Sequence, residues 1–222
     1  MKLRYLLLPL ALIVTGCMDR SNPSETITRH FDDGRAKPIV AFVPVSDKTG
    51  QDLPWNLSEE LSFSVFNSIT RRANFWMSSF PQNMKYAKTL PKKLDLFSEN
   101  VSWAKNSYPE HEFVIAVELM EHDIHTKPET GSFFDRFTPS CELDVTVRLR
   151  VIDVRHDSPE VILQEVITQT HAIPDQSPLM DPDSGKWKQK TYAVSPLGYA
   201  HSQIAREIVE RAEEYITLAK SK

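Results

Sequence analysis

Leu143–Val154 reads Leu-Asp-Val-Thr-Val-Arg-Leu-Arg-Val-Ile-Asp-Val, and this stretch decides the fold. Apolar and polar side chains alternate through most of it, which is typical of a strand with one buried face and one wet face. The polar turn Arg155–Glu160 and the β-rich run Val161–Ile173 follow directly. Together these segments predict an antiparallel hairpin.

Three segments upstream of this hairpin also predict strands. Ile39–Val45 is apolar throughout, as expected of a central strand that is buried on both faces. Phe75–Met77 predicts a short second strand, and Phe113–His125 predicts a third. Because Pro44 has no N–H to donate, we expect the pairing of the first strand to stop or bulge there.

Helices are predicted between and after these strands. Asn56 and Glu59 have the spacing of a capping box, and an apolar stripe runs from there to Arg71-Arg72. This stripe consists of Leu57, Leu61, Val65, Phe66 and Ile69. Ser195-Pro196 predicts the start of the last helix, with serine as the cap and proline in the first turn. The stripe of the last helix consists of Ile204, Ile208, Ala212, Tyr215 and Ala219.

The region Pro81–Tyr108 predicts one or two further helical pieces, around Met84–Leu90 and Leu94–Lys105. The resulting order of elements is βαβαβββα. This order predicts a single α/β domain over residues 38–222, in which helices flank a mixed β-sheet.

Residues 1–17 predict a lipoprotein signal peptide. Lys2 and Arg4 precede the apolar run Tyr5–Val14, and small residues then lead to Cys17. A ten-residue helix spans about 15 Å, half of a hydrocarbon core of about 30 Å, so this run is too short to cross a membrane. The ending resembles a lipobox, in which Cys17 is lipidated and becomes the mature amino terminus. The alternative is an ordinary signal peptide with a chance cysteine.

The residues after Cys17 indicate where the domain works. Residues 18–37 are mostly polar and predict a flexible tether of at most about 65 Å. Met18, rather than aspartate, follows the cysteine, which favours sorting to the outer membrane. We therefore expect a lipid-anchored domain that lies in the periplasm, close to the membrane.

Charge and composition exclude some classes of function. The chain has 222 residues and a net charge of −4, which becomes −6 when Lys2 and Arg4 leave with the signal. Such a chain has no basic excess to neutralise phosphates, so a nucleic-acid binder is not expected. Cys17 and Cys141 are the two cysteines, so lipidation of Cys17 leaves no intrachain disulfide. Cys141 predicts a half-buried residue at a strand start, since Pro139, Ser140 and Glu142 offer no base.

Two segments place the chain near a known family. Val40–Gln51, which ends in Ser-Asp-Lys-Thr-Gly-Gln, is similar to the first strand and turn of the CsgG-type envelope lipoproteins. Val147–Leu163 is similar to the strand-turn-strand that closes their sheet. The activator LpoB and the amino-terminal domain of TolB share the same order of elements. The resemblance covers roughly residues 38–173 and implies a non-enzymatic binding or accessory module of an envelope complex.

Two departures from that family bear on function. A CsgG-type pore needs long membrane hairpins, but Thr126–Ser140 and Pro174–Val194 are short, rich in proline and lack alternation. An LpoB-type activator uses a long leash, whereas the tether here has about 20 residues. We therefore expect neither a pore nor a long-reach activator.

The same two loops hold the candidate binding residues. Phe133, Phe134 and Phe137 are aromatic residues in a polar loop, where they either pack under the loop or contact a partner or membrane. Trp187 lies among lysines and belongs either to a solvated loop or to a contact with an anionic lipid or glycan. Our hypothesis is that these four aromatic residues bind a partner protein.

No motif for catalysis, a cofactor or a metal is visible in the sequence. Glu121–His125 contains His-x-x-His, but His122 and His125 point to opposite faces of a strand. This segment predicts a solvated strand end. The alternative is a weak metal site on Glu121, Asp123 and His125, which share a face. Glu207, Glu210, Glu213 and Glu214 predict the solvated face of the last helix.

Three hypotheses follow from the sequence. The first is a membrane-anchored, non-enzymatic module that docks an envelope protein. The second is an oligomeric subunit of a secretion or envelope complex, and the third is a hydrolase whose site is assembled from scattered residues. No cofactor is expected in the first two cases.

Overall fold

The computed structural model describes residues 28–51, 53, 55–72, 74–91, 94–126, 141–173, 187–188 and 191–221. The strands are β1 (Val40–Phe42), β2 (Ser46–Asp47), β3 (Phe113–Thr126), β4 (Cys141–Asp153) and β5 (Glu160–Ile173). The helices are α1 (Leu57–Arg72), α2 (Phe80–Ala87), α3 (Ser102–Ser107) and α4 (Pro196–Lys220), with a 3-10 turn at Tyr192–Val194.

The five strands form one mixed sheet in the order β1-β3-β4-β5, with β2 beside β3 in line with β1. β1 and β2 run parallel to β3, whereas β3, β4 and β5 are antiparallel. The predicted hairpin is confirmed, and its apolar positions from Leu143 to Val151 are fully buried. The predicted α/β class and single mixed sheet are also confirmed.

The second predicted strand is reduced to one bridge. Trp76 pairs with Ile39 alone, through hydrogen bonds from Trp76 N to Pro38 O and from Val40 N to Trp76 O, both 2.9 Å. The chain cannot continue this pairing because it enters α2 at Phe80, three residues after Met77. With this bridge counted as the second strand, the order βαβαβββα holds.

The first strand is interrupted at Pro44, as predicted. Phe42 pairs with Ile115, and Ser46 pairs with Glu118. The chain therefore advances four residues between β1 and β2 while β3 advances three. The extra residue is the bulge that a missing N–H imposes. The prediction of a central strand was wrong in one respect, since among the described residues only the Trp76 bridge lies on the outer side of β1.

Helices cover both faces of the sheet. α1 and α4 pack on one face, where every residue of the predicted α1 stripe is buried. The caps are also as predicted, with Asn56 Oδ1 accepting from Glu59 N at 2.9 Å and Ser195 Oγ accepting from Gly198 N at 3.0 Å. The apolar stripe of α4 is confirmed at Ile204, Ile208 and Ala212, which are fully buried.

The other face is covered differently from the prediction. The helical pieces lie at Phe80–Ala87 and Ser102–Ser107, because Pro81 suits a first turn and starts α2 early. Residues 94–101 are irregular, and their carbonyl groups bind Arg150, which was predicted on a wet face but is only 4% exposed. Its guanidinium donates to the carbonyl oxygens of Leu96, Phe97 and Ser98 at 3.0, 2.8 and 2.7 Å. Burial of an arginine is possible here because carbonyl groups pair with its donors.

The last residues of the predicted tether fold back on themselves. Phe31 N donates to Arg35 O and Lys37 N to Arg29 O, at 2.8 and 2.9 Å, around Gly34 with φ of 85°. The Arg29 guanidinium lies 4.1 Å from the centre of the Trp76 ring. Residues 28–37 therefore contact the domain.

Candidate functional site

The site begins with a bulge in β3 that changes which side chains face the helices. Leu119 pairs with Val147, but Glu121 pairs with Thr146, so Met120 is an extra residue in the ladder. Beyond the bulge the alternation is reversed, and His122 faces α1 and α4. The prediction of a solvated strand end was wrong for His122, which is fully buried. It was correct for Glu121, Asp123 and His125, which are exposed.

A buried carboxylate connects His122 to both helices. His122 Nε2 lies 2.9 Å from Nε2 of His201 on α4, and Nδ1 of His201 donates to Glu60 Oε1 on α1 at 2.7 Å. The Tyr192 hydroxyl donates to the same oxygen at 2.7 Å, and Trp55 Nε1 donates to Glu60 Oε2 at 2.9 Å. We call these five residues, Trp55, Glu60, His122, Tyr192 and His201, the buried network.

The partners of the buried network determine its proton count. Gln51 Nε2 donates to the Asp123 carboxylate at 2.7 Å, so its oxygen faces His122 Nδ1, which must carry a proton to donate at 2.9 Å. One further proton lies between the two Nε2 atoms, and one lies on His201 Nδ1 toward Glu60. Three protons on two imidazoles give one positive charge, which the Glu60 carboxylate balances. The network is therefore neutral as a whole.

The pKa shifts agree with this count. Burial by itself would raise the pKa of Glu60, but the positive charge of His201 and the hydrogen bonds from His201, Tyr192 and Trp55 hold it below its ordinary value. Burial and the nearby charge of His201 lower the pKa of His122 to about 4. Burial and the Glu60 carboxylate raise the pKa of Tyr192. One imidazole thus stays neutral while the other pairs with the carboxylate.

The buried network can move a proton between its members. Its two histidines are closed to solvent, whereas Glu60 and Tyr192 line the groove described below. Glu60 is 1% exposed and both histidines are fully buried. Within the described ranges, no Ser, Thr or Cys side chain hydrogen-bonds to either imidazole, and no three His, Cys, Asp or Glu side chains come together to hold a metal. Its evident structural effect is to join α1, α4 and β3.

Gly198 allows this joint to close. A Cβ at this position would clash with the carbonyl oxygen of Tyr192, so α4 and the 3-10 turn approach this closely only with glycine. The same carbonyl accepts from Ser195 Oγ at 2.7 Å. The Tyr192 ring is thereby held against Glu60, at the bottom of an open groove.

The groove lies along α1, beside the start of α4, and has a volume of about 590 Å³. Its apolar wall consists of Phe63, Phe80 and Trp187, whose rings pack edge to face or tilted. The ring of Phe63 lies 5.8 Å from that of Phe80 and 5.6 Å from that of Trp187. Phe63 is 42% exposed, although it contacts two other aromatic rings. We call this feature the α1 groove.

Polar side chains line the rest of the α1 groove. Ser64, Asn67 and Ser68 follow one face of α1, and Arg71 lies at the far end. At the near end, Lys188 pairs with Glu59 at 3.3 Å. A groove with one aromatic wall and a line of hydrogen-bonding groups is suited to bind a ligand.

The structure describes one of the predicted site residues. Trp187 is half-buried, and its ring lies 5.6 Å from that of Phe63. Cys17, Phe133, Phe134 and Phe137 lie outside the described residues. Cys141 is half-buried at the first position of β4, as predicted.

Sequence reasoning missed the remaining members of the site, although weak signals exist. Glu60 is an acid on the buried side of an amphipathic helix, and Phe63 is an aromatic residue on the opposite side. His201 lies one turn before Ile204 and Ala205 in the buried stripe of α4. Each departs from the pattern of its helix, and such departures are where a functional or strained site is expected.

The chain belongs to a family of unknown function, DUF7499, whose model matches residues 26–220. No curated protein matches the sequence. Among the helices that the structure describes, none is both long and apolar enough to cross a membrane.

Several solved structures are similar to this chain. The hypothetical protein CT253 from Chlamydia trachomatis is 24% identical, with a TM-score of 0.62 over 82% of this chain and 98% of that one. Lipoprotein GNA1162 from Neisseria meningitidis is 10% identical, with a TM-score of 0.42 over 78% and 99%. The C-terminal domain of LpoB from Escherichia coli is 12% identical, with a TM-score of 0.37 over 60% and 82%. At 24% identity, the likeness to CT253 is one of fold.

Proposed function

We propose that this chain is a lipid-anchored accessory protein of a bacterial cell envelope, which binds a partner protein in the α1 groove and catalyses no reaction. Cys17 provides the anchor to the outer membrane in this proposal. The domain then presents the groove to proteins in the periplasm.

The observation on which the proposal depends is the exposed aromatic wall of the α1 groove. Phe63 and the half-buried rings of Phe80 and Trp187 form one apolar surface beside polar groups. Aromatic residues are enriched among those that dominate binding energy at protein interfaces. An apolar surface that is rimmed by polar residues is typical of an interaction site.

The buried network supports a binding role over a catalytic one. A general base must come within hydrogen-bond distance of the substrate proton, but both histidines are fully buried. Their hydrogen bonds instead join three elements under the groove. Phe63 and Phe80 lie on helices, and rings that are held by such elements bind without a large cost in ordering.

A crosslinking experiment in cells tests the proposal. A photoreactive amino acid replaces Asn67 within the groove, in the full-length lipoprotein. The matched control position is Glu214, which is exposed on the distal part of α4. We expect a discrete adduct at position 67 that Phe63→Ser abolishes, and none at position 214. Equal products at both positions, or none at 67, would overturn the proposal.

The mass of the adduct separates the remaining hypotheses. A product of twice the mass of the chain would favour the oligomeric secretion subunit over the accessory module. A product that contains a different envelope protein is the result that we expect.

A further inference from the structure

We infer that the α1 groove takes an extended segment of the partner that has one apolar anchor side chain and one carboxylate, about three to four residues apart. This inference rests on the proposed function and specifies its ligand. Three features of the groove lead to it: the ring packing, the polar groups along α1 and the unpaired cation at its end.

The aromatic wall favours an apolar side chain over a flat ring such as a sugar. The Phe63 and Phe80 planes meet at 88°, and those of Phe63 and Trp187 at 55°. Rings that pack at such angles offer edges and gaps rather than one flat stacking face. A branched aliphatic or aromatic side chain can fill such a gap and cover the exposed part of Phe63.

The polar groups along α1 favour a peptide over an acyl chain. Ser64, Asn67 and Ser68 are half-buried, and their side chains have no hydrogen-bond partner among the described residues. An acyl chain would remove water from these groups without offering them a hydrogen bond in return, which weakens binding. The N–H and C=O groups of an extended peptide can hydrogen-bond to them instead.

Arg71 supplies the charge complementarity. It is exposed and forms no ion pair within the described part of the chain, whereas its neighbour Arg72 pairs with Glu213 at 3.0 Å. Lys188, at the near end of the groove, already pairs with Glu59. The one unpaired charge among the described lining residues is therefore positive, and it favours a carboxylate that a guanidinium can bind through two hydrogen bonds.

The spacing of anchor and carboxylate follows from the helix. Phe63 and Arg71 are eight residues apart on α1, which corresponds to about 12 Å along its axis at 1.5 Å per residue. An extended peptide advances about 3.3 Å per residue, so three to four residues span this distance.

Peptide binding to the full-length lipoprotein in nanodiscs tests the inference. The probes are fluorescein-labelled hexapeptides with leucine as the anchor and glutamate three or four positions away, and matched peptides with glutamine in place of glutamate. Fluorescence anisotropy reports the affinities. The variants are Arg71→Gln, Phe63→Ser and the control Arg206→Gln, an exposed arginine on α4 outside the groove.

We expect the glutamate peptide to bind about tenfold more tightly than the glutamine peptide, as for one charge-assisted hydrogen-bonded pair. We expect Arg71→Gln to remove this preference and Arg206→Gln to preserve it. Phe63→Ser should lower the affinity for both peptides. A preference that survives Arg71→Gln, or no binding of either peptide at 1 mM, would overturn the inference.

Failure of the inference can be told apart from failure of the proposed function. If the adduct at position 67 forms in cells while both peptides fail to bind, the groove binds a partner of other chemistry. If palmitate displaces both peptides equally from the wild type and from Arg71→Gln, the apolar part of the groove is a lipid site, and the inference falls.

Discussion

The two faces of the sheet each bury a polar cluster, and the two clusters differ in how their polar atoms are satisfied. In the buried network, each oxygen of Glu60 and each imidazole nitrogen has a partner between 2.7 and 2.9 Å. On the opposite face, Tyr86, Tyr108 and His111 pack as rings with centroids 5.4–5.7 Å apart, and we call these three residues the ring cluster. The Tyr108 hydroxyl and both nitrogens of His111 have no hydrogen-bond partner among the described residues.

This difference indicates different roles for the two clusters. A fully satisfied network fixes side-chain positions, and here it fixes the elements that form the α1 groove. A cluster that relies on ring packing contributes buried area, and removing one of its unpartnered polar groups breaks no hydrogen bond. We therefore expect substitutions in the buried network to have much larger effects than polar substitutions in the ring cluster.

Glu60→Gln should cause the largest loss in the free energy of unfolding. This change removes the negative charge that balances the two imidazoles, and breaking a buried pair in this way costs about 3–5 kcal/mol. Urea denaturation measures the loss in the free energy of unfolding. Glu59→Gln is the matched control, since its partner Lys188 is 68% exposed and the loss should stay within about 0.5 kcal/mol. Similar losses in both variants would show that the network is not a stabilising ion pair.

The next effect is a dependence of stability on pH. The pKa of His122 falls from 6.5 to about 4 in the folded protein, so between these values the unfolded chain binds a proton that the folded chain does not. The contribution of His122 to stability is therefore fully present above pH 6.5 and is lost as the pH falls to 4, a loss of about 3 kcal/mol.

Variants separate this contribution from that of other groups. His122→Gln should flatten the decline between pH 6.5 and 4, and the exposed His156→Gln should leave it unchanged. Burial also lowers the pKa of His111 and of His171, so both add to the decline in the same direction. An unchanged decline in His122→Gln would assign the pH dependence to these two histidines instead.

Gly198→Ala should cause an intermediate loss of stability. The new Cβ would clash with the carbonyl of Tyr192, and the rigid backbone must shift to relieve it. Overpacking of this kind costs about 1–3 kcal/mol. Because the shift moves Tyr192 at the bottom of the groove, crosslinking at position 67 should fall as well. Unchanged thermal stability and crosslinking would show that the contact between α4 and the 3-10 turn is adaptable.

The smallest expected effect is that of Tyr108→Phe in the ring cluster. The hydroxyl has no hydrogen-bond partner among the described residues, and burial raises its pKa. Its removal should leave the free energy of unfolding unchanged or raise it by up to about 1 kcal/mol. Tyr192→Phe, which loses the bond to Glu60, should destabilise by about 1.5–3 kcal/mol. If Tyr108→Phe were the more damaging of the two, the distinction between the two faces would be wrong.

The features that depend on near neighbours could be predicted from the sequence. The hairpin of β4 and β5 follows from alternation, the starts of α1 and α4 from Asn56 and Ser195, and the break in the first strand from Pro44. Each of these patterns extends over a few residues, since strand period, capping and proline geometry are local properties.

The composition of the site depends on contacts between residues that are distant in the sequence. Glu60, His122 and His201 lie far apart in the sequence, and the bulge at Met120 turns His122 toward the helices because β4 determines the register of β3. Arg150 is buried because carbonyl groups from residues 96–98 reach it, and Trp187 joins the groove because Phe63 lies beneath it. The burial of a polar or aromatic side chain depends on which distant groups pair with it, and no local pattern contains that information.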